Sequence, residues 1–412
     1  MLYRTHVLRL MVIIAILVST VLALPAGAAA GEPATGIPMV SAADIHQALT
    51  LAGSNSHQLV TALDHCDYNP GLRPAMRFVV ASLPLADLGV ITADELIEHV
   101  ELATQARGEA KYGQHYSDAI WAHYVLPPRV SQEPLSRWRP YFHNELKDLV
   151  AECETLQDAA LIVDAWVSAR TGFKQTQRRD QGPLVTLKSG FGRCEELMMV
   201  QVCALRSVGI PARNSYCPWW AHCDNNHAWT EVYCSDGAWH MADSGALVGF
   251  SGTSWVTPTA KGAPIICSMC FGLPAELTPD VISSKDEVGA RYAQMNSIDA
   301  YRTTGVVSFD FTGLLNPGDP PAYDEDGEEI DYHVYVHVFN YGALRPVAKA
   351  RVGADLTGSI ELGVGRFVLS TNLPVADPVV WVDVVEGATL EFQWESAEVL
   401  GEELVLEFPK TG

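Results

Sequence analysis

Apolar residues recur every three or four positions from about residue 40 to residue 170, which predicts a helical region. Ser41 and Thr92 each stand just before such a pattern and are followed three positions later by an acidic residue, as in a helix N-cap. Four prolines between Val125 and Pro140 predict a loop or extended connection between two groups of helices. The helical pattern is clearest in segments 43–53, 72–83, 92–106 and 156–169.

Beyond residue 305 the pattern changes to β-branched and aromatic residues that alternate or run together, separated by Gly, Pro or Asn. Seven such segments predict seven short strands, which suggests a small β-sandwich. Residues 317–332, after the first of these segments, carry seven acidic residues. The EF-hand spacing and its terminal Glu are absent, so a solvated acidic loop is favoured over a calcium site. The predicted strands are 307–315, 332–339, 348–356, 366–373, 379–385, 389–396 and 403–408.

Between about residues 183 and 275 helix and strand patterns are mixed, and residues 189–246 carry the candidate chemistry. Gly190 and Gly192 permit a tight turn, after which the pattern predicts a helix from about residue 194 to residue 208. This helix is apolar nearly all round, so we expect it to be buried.

Cys194 therefore stands at the first turn of a buried helix. Unpaired N–H groups there favour a thiolate and lower the thiol pKa from about 8.5. The same amides can hold the oxyanion of a tetrahedral intermediate. Glu195 and Glu196 oppose the thiolate unless their side chains point away. An isolated cysteine at a helix start is more often structural, so the assignment depends on the residues that follow.

Two predicted strands with a turn at Asp236-Gly237 follow the helix. A two-residue turn would put His227 and Asp243 on opposite faces of the sheet. A three-residue loop with a left-handed Gly237 would instead pair Trp229 with Asp243. His227 and Asp243 would then be diagonal neighbours on one face, about 7–8 Å apart at Cα. We predict the three-residue loop, with Trp229 packed over the pair, because such a loop requires glycine.

The order Cys…His…Asp is that of thiol enzymes that transfer acyl groups. The segment resembles the core of the transglutaminase-like superfamily, which also includes bacterial cysteine peptidases and peptide N-glycanases. The resemblance implies a papain-like helix packed on an antiparallel sheet. It also implies that Cys194 is the nucleophile, His227 the general base and then acid, and Asp243 the group that orients the histidine. The motifs that carry it are GFGRCEEL, ALRSVGIPAR, NHAWTEVY and WHMAD.

Two features depart from the family pattern. Proline often follows the aspartate in relatives, whereas Ser244 follows Asp243 here. The second oxyanion donor of relatives is an upstream glutamine or tryptophan. Gln177 and Gln181 are the candidates for that role.

The chain has nine cysteines, and an odd number in an oxidising compartment suggests one free thiol beside disulfides. Cys66 with Cys153 would clasp the helical region. A zinc site is the alternative for the cysteines near His227, although export favours disulfides, and we expect no metal or cofactor. The residues open to either interpretation are Cys217, His222, Cys223, Cys234, Cys267 and Cys270.

Three further residues near the histidine have open or structural interpretations. Trp219 and Trp220 precede His227, and they either line a substrate groove or cap the core. His240 is expected to be structural.

The first thirty residues have the features of a signal peptide: Arg4 and Arg9, an apolar stretch, and small residues up to Ala30. The apolar stretch is shorter than the roughly 20 residues of a spanning helix. Cleavage and export, giving a secreted or periplasmic protein, are therefore favoured over a membrane anchor. The formal net charge of −22 argues against nucleic acid as a partner.

These patterns predict an α+β multidomain protein. Its expected parts are a signal peptide (1–30), a helical N-terminal region (31–145), a papain-like, transglutaminase-like catalytic core (146–300) and a β-sandwich (301–412). The expected function is an exported cysteine peptidase or amidase that acts on a peptide or protein through a Cys194 thioester. Protein-glutamine cross-linking is the first alternative, less favoured because it requires exclusion of water. A non-catalytic scaffold that binds a surface partner is the second.

Overall fold

A computed structural model describes residues 36–176, 180–243, 246–247, 256–272, 281–284, 292–316, 318, 320–321, 330–394 and 397–399. The predicted signal peptide lies outside these residues. Within them, no helix is both long enough and apolar enough to cross a bilayer.

The first part of the described chain is helical, as the apolar periodicity predicts. Ser41 and Thr92 are N-caps: their hydroxyls accept hydrogen bonds from the amides of Asp44 (3.2 Å) and Glu95 (3.3 Å). Short 3-10 helices lie at 53–55, 70–72 and 111–114. The α-helices here are α1 (Ala42–Ala52), α2 (Ser56–Tyr68), α3 (Arg73–Ser82), α4 (Leu85–Leu88), α5 (Ala93–Glu109), α6 (Asp118–Tyr124), α7 (Trp138–Val150) and α8 (Leu156–Ser168).

A mixed region follows, in which helices pack on a sheet. Its helices are α9 (Pro183–Ser189), α10 (Cys194–Ser207) and α11 (Val256–Ala260). A short parallel pair joins β1 (Gly172–Phe173) to β2 (Phe191–Gly192). The main sheet is antiparallel, with order β6-β5-β4-β3-β7-β9-β8. Its strands are β3 (Ala212–Cys217), β4 (His227–Tyr233), β5 (Trp239–Asp243), β6 (Ala246–Leu247), β7 (Cys267–Phe271), β8 (Val281–Ser284) and β9 (Tyr292–Asn296).

The buried helix α10 lies between the helical region and the sheet. Met198 and Val202 of α10 belong to the same hydrophobic core as Phe142 of α7 and as Val232 and Ala242 of the sheet. Burial of the apolar surface of α10 on both sides stabilises its position. The fold is therefore α+β, with helices packed against an antiparallel sheet. The boundaries at 145/146 and 300/301 stay predictions.

The β4–β5 hairpin has the predicted three-residue loop. Thr230 pairs with Ala242, and the amide of Cys234 donates to the carbonyl of Ala238 at 3.0 Å. Gly237 has a φ of 80°, the left-handed conformation that the loop requires. This register, continued by one residue, puts the backbone of Asp243 opposite that of Trp229.

The C-terminal part is a sandwich of two sheets around their own apolar core. The sheets have the orders β13-β10-β16 and β12-β11-β14-β15. The predicted strand 348–356 in fact ends at Arg351, and an unpredicted strand begins at Thr357 after a turn. The predicted strand 403–408 lies outside the described residues. The strands are β10 (Thr304–Asp310), β11 (His333–Asn340), β12 (Ala343–Arg351), β13 (Thr357–Gly363), β14 (Gly365–Thr371), β15 (Val379–Val384) and β16 (Thr389–Gln393).

All nine cysteines are free thiols, so the prediction of disulfides, including Cys66–Cys153, is wrong for this structure. Cys66 and Cys153 are both buried in the core of the helical region, and burial raises the pKa of each thiol. They pack as small apolar side chains. Among the described residues, no three His, Cys, Asp or Glu side chains are grouped so that they could hold a metal ion.

Candidate active site

Cys194 is the first residue of α10, and the turn before it depends on Gly192. A Cβ at Gly192 would lie 2.8 Å from the Cβ of Glu196 and 2.9 Å from the Cγ2 of Thr186, closer than real contacts allow. Glycine therefore lets the chain pass close to the helix and turn directly into it. Cys194 is half-buried, whereas the rest of the helix beyond Glu195 is buried.

The environment of the Cys194 sulfur favours the thiolate. Burial acts to raise the thiol pKa, but three hydrogen bonds outweigh it. The His227 side chain and the backbone amides of Ala228 and Glu195 make these bonds, so the pKa of Cys194 falls below its ordinary value. The sulfur is thus held by an imidazole, by the Ala228 N–H of β4 and by the Glu195 N–H at the positive end of α10.

Glu196 points away from the sulfur and fixes the helix start. Its buried carboxylate accepts from the amides of Arg193 and Gln181 (2.8 Å each) and from the Thr176 hydroxyl (2.8 Å). Burial acts to raise its pKa, but these hydrogen bonds outweigh that effect and lower the pKa. A charged Glu196 is therefore satisfied locally and bound to the segment before the helix.

Glu195, in contrast, lines the cleft beside Cys194. Its carboxylate accepts a hydrogen bond from the Ser131 hydroxyl at 3.0 Å. Ser131 belongs to the proline-rich connection between α6 and α7. This contact links α10 to the helical region.

His227 is the first residue of β4, and its position at the strand end brings it to Cys194. The helix α10 packs on the face of β4 that carries Thr230 and Val232. His227 and Trp229 belong to the other face, because successive side chains alternate. At the strand end the imidazole nevertheless forms its hydrogen bond with the Cys194 sulfur.

The predicted third member, Asp243, lies in β5, where its backbone pairs with Ala246. Its register puts it on the face of the sheet that carries His227, as the three-residue loop predicts. The Asp243 carboxylate lies outside the part of the chain that the structure describes. Its role as the orienting group therefore stays a prediction.

Trp229 covers the imidazole and is itself held by a buried polar network. Its ring stacks on that of His227 with centroids 5.9 Å apart. Its indole N–H donates to the Tyr301 hydroxyl at 2.9 Å, and Tyr301 donates in turn to the Glu231 carboxylate. Arg213 Nε donates to the same carboxylate at 2.5 Å. The predicted packing of Trp229 over His227 is confirmed, whereas this network was not predicted.

Cys194 and His227 both open onto a cleft of about 590 Å³. The sheet forms one wall, and the helical region forms the opposite wall through the start of α4, at 84–86, and the loop at 129–134. That loop is fixed by an ion pair between Arg129 and the buried Asp87, and by a hydrogen bond from the Trp138 indole to the Pro128 carbonyl (2.8 Å). The sheet side is lined by Asn214, Tyr216, Pro218, Asn226, Ala228, Met269, Phe271, Tyr292 and Gln294.

Comparison with protein-family models identifies residues 145–244 as matching the transglutaminase-like superfamily. The matched range includes Cys194, His227 and Asp243. Residues 145–244, which make up about a quarter of the chain, are called the transglutaminase-like core for this similarity. This family match supports a cysteine enzyme in general terms.

One solved structure that is similar to this chain is a protein from Cytophaga hutchinsonii proposed to be a cysteine protease. The two share 16% identity over 39% of this chain and 58% of that one, with a TM-score of 0.24. A likeness at that level carries no conclusion about activity. Among curated proteins no similar sequence is found.

Gln181, one of the two predicted candidates for the second oxyanion donor, has its side chain bonded elsewhere. The Gln181 side chain donates to the Phe191 carbonyl (3.3 Å) and to the Glu196 carboxylate (3.4 Å). These two bonds support the turn before Cys194. Gln177 lies outside the described residues. The backbone amides of Glu195 and Ala228 both approach the sulfur.

The two tryptophans before His227 have different positions: Trp219 is half-buried and packs against the core of the sandwich. Trp220 is fully buried and therefore belongs to the core. Pro218 and Asn226, at the two ends of the same loop, line the cleft of the transglutaminase-like core. His240 pairs with Val232 across the hairpin, and its ring lies 2.8 Å from the Asp236 carboxylate at the turn, a structural position.

Proposed function

We propose that the chain is an exported cysteine hydrolase that cleaves amide bonds in peptides or proteins, with Cys194 as nucleophile, His227 as base and Asp243 as orienting group. The observation that carries the proposal is the Cys194 thiol, which has a lowered pKa, bonds to His227 and opens onto a cleft. The transglutaminase-like family match supports the same chemistry. Export rests on the character of residues 1–30 and is part of the proposal.

The reaction follows from the groups at the sulfur. The Cys194 thiolate attacks the amide carbonyl carbon, forming a C–S bond and a tetrahedral oxyanion that N–H groups beside the sulfur stabilise. The His227 imidazolium donates its proton to the nitrogen as the C–N bond breaks, and an amine leaves. His227 then takes a proton from water as that water attacks the thioester. The C–S bond breaks, releasing a carboxylic acid and restoring the thiolate.

The shape of the cleft supports water as the acyl acceptor. A volume of about 590 Å³ falls in the range of sites that bind ligands the size of several residues. Cys194 is only half-buried at its edge, so water has access to the thioester. Transfer to an amine requires that water be kept out of the same position.

Two parallel assays test this proposal. The chain lacking residues 1–30 is incubated with unstructured protein substrates, with peptide release scored in one assay and incorporation of a fluorescent amine into glutamine in the other. We expect release that disappears in Cys194→Ala and that exceeds amine incorporation. Incorporation in excess of release would make the protein a cross-linking enzyme. No Cys194-dependent product in either assay, with ordinary alkylation of Cys194, would make it a scaffold.

A further inference from the structure

The tip of the β11–β12 hairpin in the sandwich contacts the loop that precedes His227. The hairpin turns at Tyr341 and Gly342, which have φ values of 50° and 69°, the left-handed conformations of a tight two-residue turn. Asn340, the last residue of β11, pairs with Ala343 and is only 1% exposed. A buried amide at a hairpin tip must find its partners outside the hairpin.

Asn340 finds them in the loop of the transglutaminase-like core. Its Nδ2 donates to the carbonyls of Trp220 (2.9 Å), Cys223 (2.8 Å) and Asn225 (3.2 Å). The loop closes on itself through a bond from the Trp220 amide to the Asn225 carbonyl (3.0 Å). One side-chain amide of the sandwich therefore shares its two N–H groups among three backbone carbonyls of residues 220–225.

Three further contacts join the hairpin to residues 218–226. The Tyr341 amide donates to the Asp224 carboxylate at 2.6 Å. The ring of Trp219 lies 6.4 Å from that of Tyr341, and the Arg345 guanidinium lies 5.0 Å from the centroid of Trp219. The sandwich thus holds the loop by backbone, charge and aromatic contacts.

The loop of residues 220–225 is connected to the His227 imidazole both through ring contacts and along the chain. The Trp220 ring is stacked on Trp229, with centroids 6.5 Å apart and an angle of 6°, and Trp229 is stacked on His227. Asn226 ends the loop, lines the cleft and precedes His227 in the chain. A change in the backbone of residues 220–225 is therefore transmitted both along the chain and through two stacked rings.

We propose that the hairpin tip Asn340–Ala343 of the sandwich is a positioning element of the active site, which holds residues 218–226 so that His227 stays in line with Cys194. This inference rests on the proposed function, since it assigns the sandwich a part in that same site. Asn340 is the residue through which it acts. It touches neither the sulfur nor the imidazole, so it is a positioning residue.

The test uses Asn340→Asp and Asn340→Ala in the full chain. Aspartate has the shape of asparagine, but a carboxylate oxygen replaces the Nδ2 donor. That oxygen repels the three carbonyl oxygens, so we expect the loop to move. Asn372→Ala is the matched control: Asn372 lies in the same sandwich, accepts from the His333 amide (2.8 Å) and donates to the Asp331 carbonyl (2.9 Å).

The readout is the pH profile of iodoacetamide labelling of the Cys194 peptide, with kcat and KM for peptide release measured beside it. For Asn340→Asp we expect the labelling midpoint to rise by about one pH unit, so that labelling below it slows about tenfold. We expect kcat to fall more than KM changes. A smaller change in the same direction is expected for Asn340→Ala, and a wild-type profile for Asn372→Ala.

Folded Asn340 variants with a wild-type labelling profile would overturn the inference, as would an equal change in Asn372→Ala. If neither Asn340 variant folds, Asp224→Ala decides, because Asp224 is exposed and its carboxylate accepts the bond from the Tyr341 amide. An upward shift of its midpoint supports the inference, and no shift overturns it. Failure of the proposed function is distinct: it appears as ordinary thiol labelling in the wild-type protein itself.

Discussion

Two cysteines of the same helix, Cys194 and Cys203, have opposite environments. Cys194 is the first residue of α10 and borders the cleft. Hydrogen bonds lower the pKa of its thiol despite partial burial. Cys203 lies deeper along α10 and is fully buried. Burial, followed by the charge of Glu133, raises the pKa of Cys203 well above its ordinary value. The comparison shows that hydrogen bonds at the helix start and from the imidazole lower the thiol pKa, whereas burial without them raises it.

Replacing each of the two cysteines by alanine tests the contrast between them most directly. We expect Cys194→Ala to reduce kcat for amide hydrolysis by at least about 10⁴-fold, because no other group can form the thioester. Cys203→Ala leaves a small cavity in the core and should cost about 1–2 kcal/mol of stability, with kcat changed no more than a few-fold. Turnover and thermal unfolding of the two variants are measured side by side. Comparable activity in both would rule out Cys194 as nucleophile.

Removing the imidazole should convert Cys194 into a more ordinary thiol. In His227→Ala we expect kcat to fall by about 10³-fold or more, and the thiol pKa to rise toward about 8.5, because the favourable hydrogen bond is lost. The measurement is the pH dependence of turnover. His240→Ala is the control, since His240 bonds to Asp236 at the far turn of the hairpin. An unchanged pH profile in His227→Ala would contradict the pairing.

Neutralising Glu196 tests the part played by the helix start. In Glu196→Gln the side chain accepts hydrogen bonds from the two backbone amides less well than a carboxylate does, and its own NH2 group adds a donor. We therefore expect about 1–3 kcal/mol of destabilisation at neutral pH and a roughly tenfold to hundredfold loss of activity. Unfolding by urea at several pH values measures it. Glu98→Gln, which removes a surface ion pair with Arg137, should cost much less.

The pH dependence of the Glu196 effect has a definite sign. Its folded-state pKa is lowered below the unfolded value of about 4.3. Its contribution to stability is therefore present above that pH and is lost as the pH falls through the folded value. The difference in stability between wild type and Glu196→Gln should shrink below about pH 4. A difference that grows on acidification would contradict this account.

The smallest expected effect concerns the network behind Trp229. Tyr301→Phe removes the hydroxyl that joins the Trp229 indole to Glu231, and we expect kcat to fall about tenfold at unchanged KM, because the ring over His227 loosens. Tyr112→Phe is the matched control. The buried Tyr112 hydroxyl donates to the Val208 carbonyl (2.8 Å) at the other end of α10. If Tyr301→Phe and Tyr112→Phe lost the same stability and the same kcat, the network would have only a structural role.

The positions of glycines in the local sequence made part of the site predictable. Gly190 and Gly192 before an apolar helix predicted the position of Cys194 at a helix start. Gly237 in a short turn predicted the hairpin register, and with it the face that His227 and Asp243 share. In both cases glycine at a specific backbone position determined the geometry.

Contacts between distant parts of the chain were not predictable. Tyr301 and Asn340 reach the site from 72 residues beyond Trp229 and 120 residues beyond Trp220, and nothing in their local sequence signals it. The strand that begins at Thr357 was missed because glycines flank its few apolar residues. The disulfide prediction failed because it rested on cysteine number and export, whereas thiols such as Cys66 are accommodated by apolar burial.

The most direct test of the central claim compares Cys194 and Cys203 within one sample. The folded protein is exposed to iodoacetamide between pH 5 and 9, and each cysteine-containing peptide is quantified by mass spectrometry. We predict that Cys194 reacts with a midpoint clearly below the ordinary value of about 8.5, while Cys203 stays unmodified until the protein unfolds. A Cys194 that reacts no faster than an ordinary thiol, or only together with Cys203, would contradict the account.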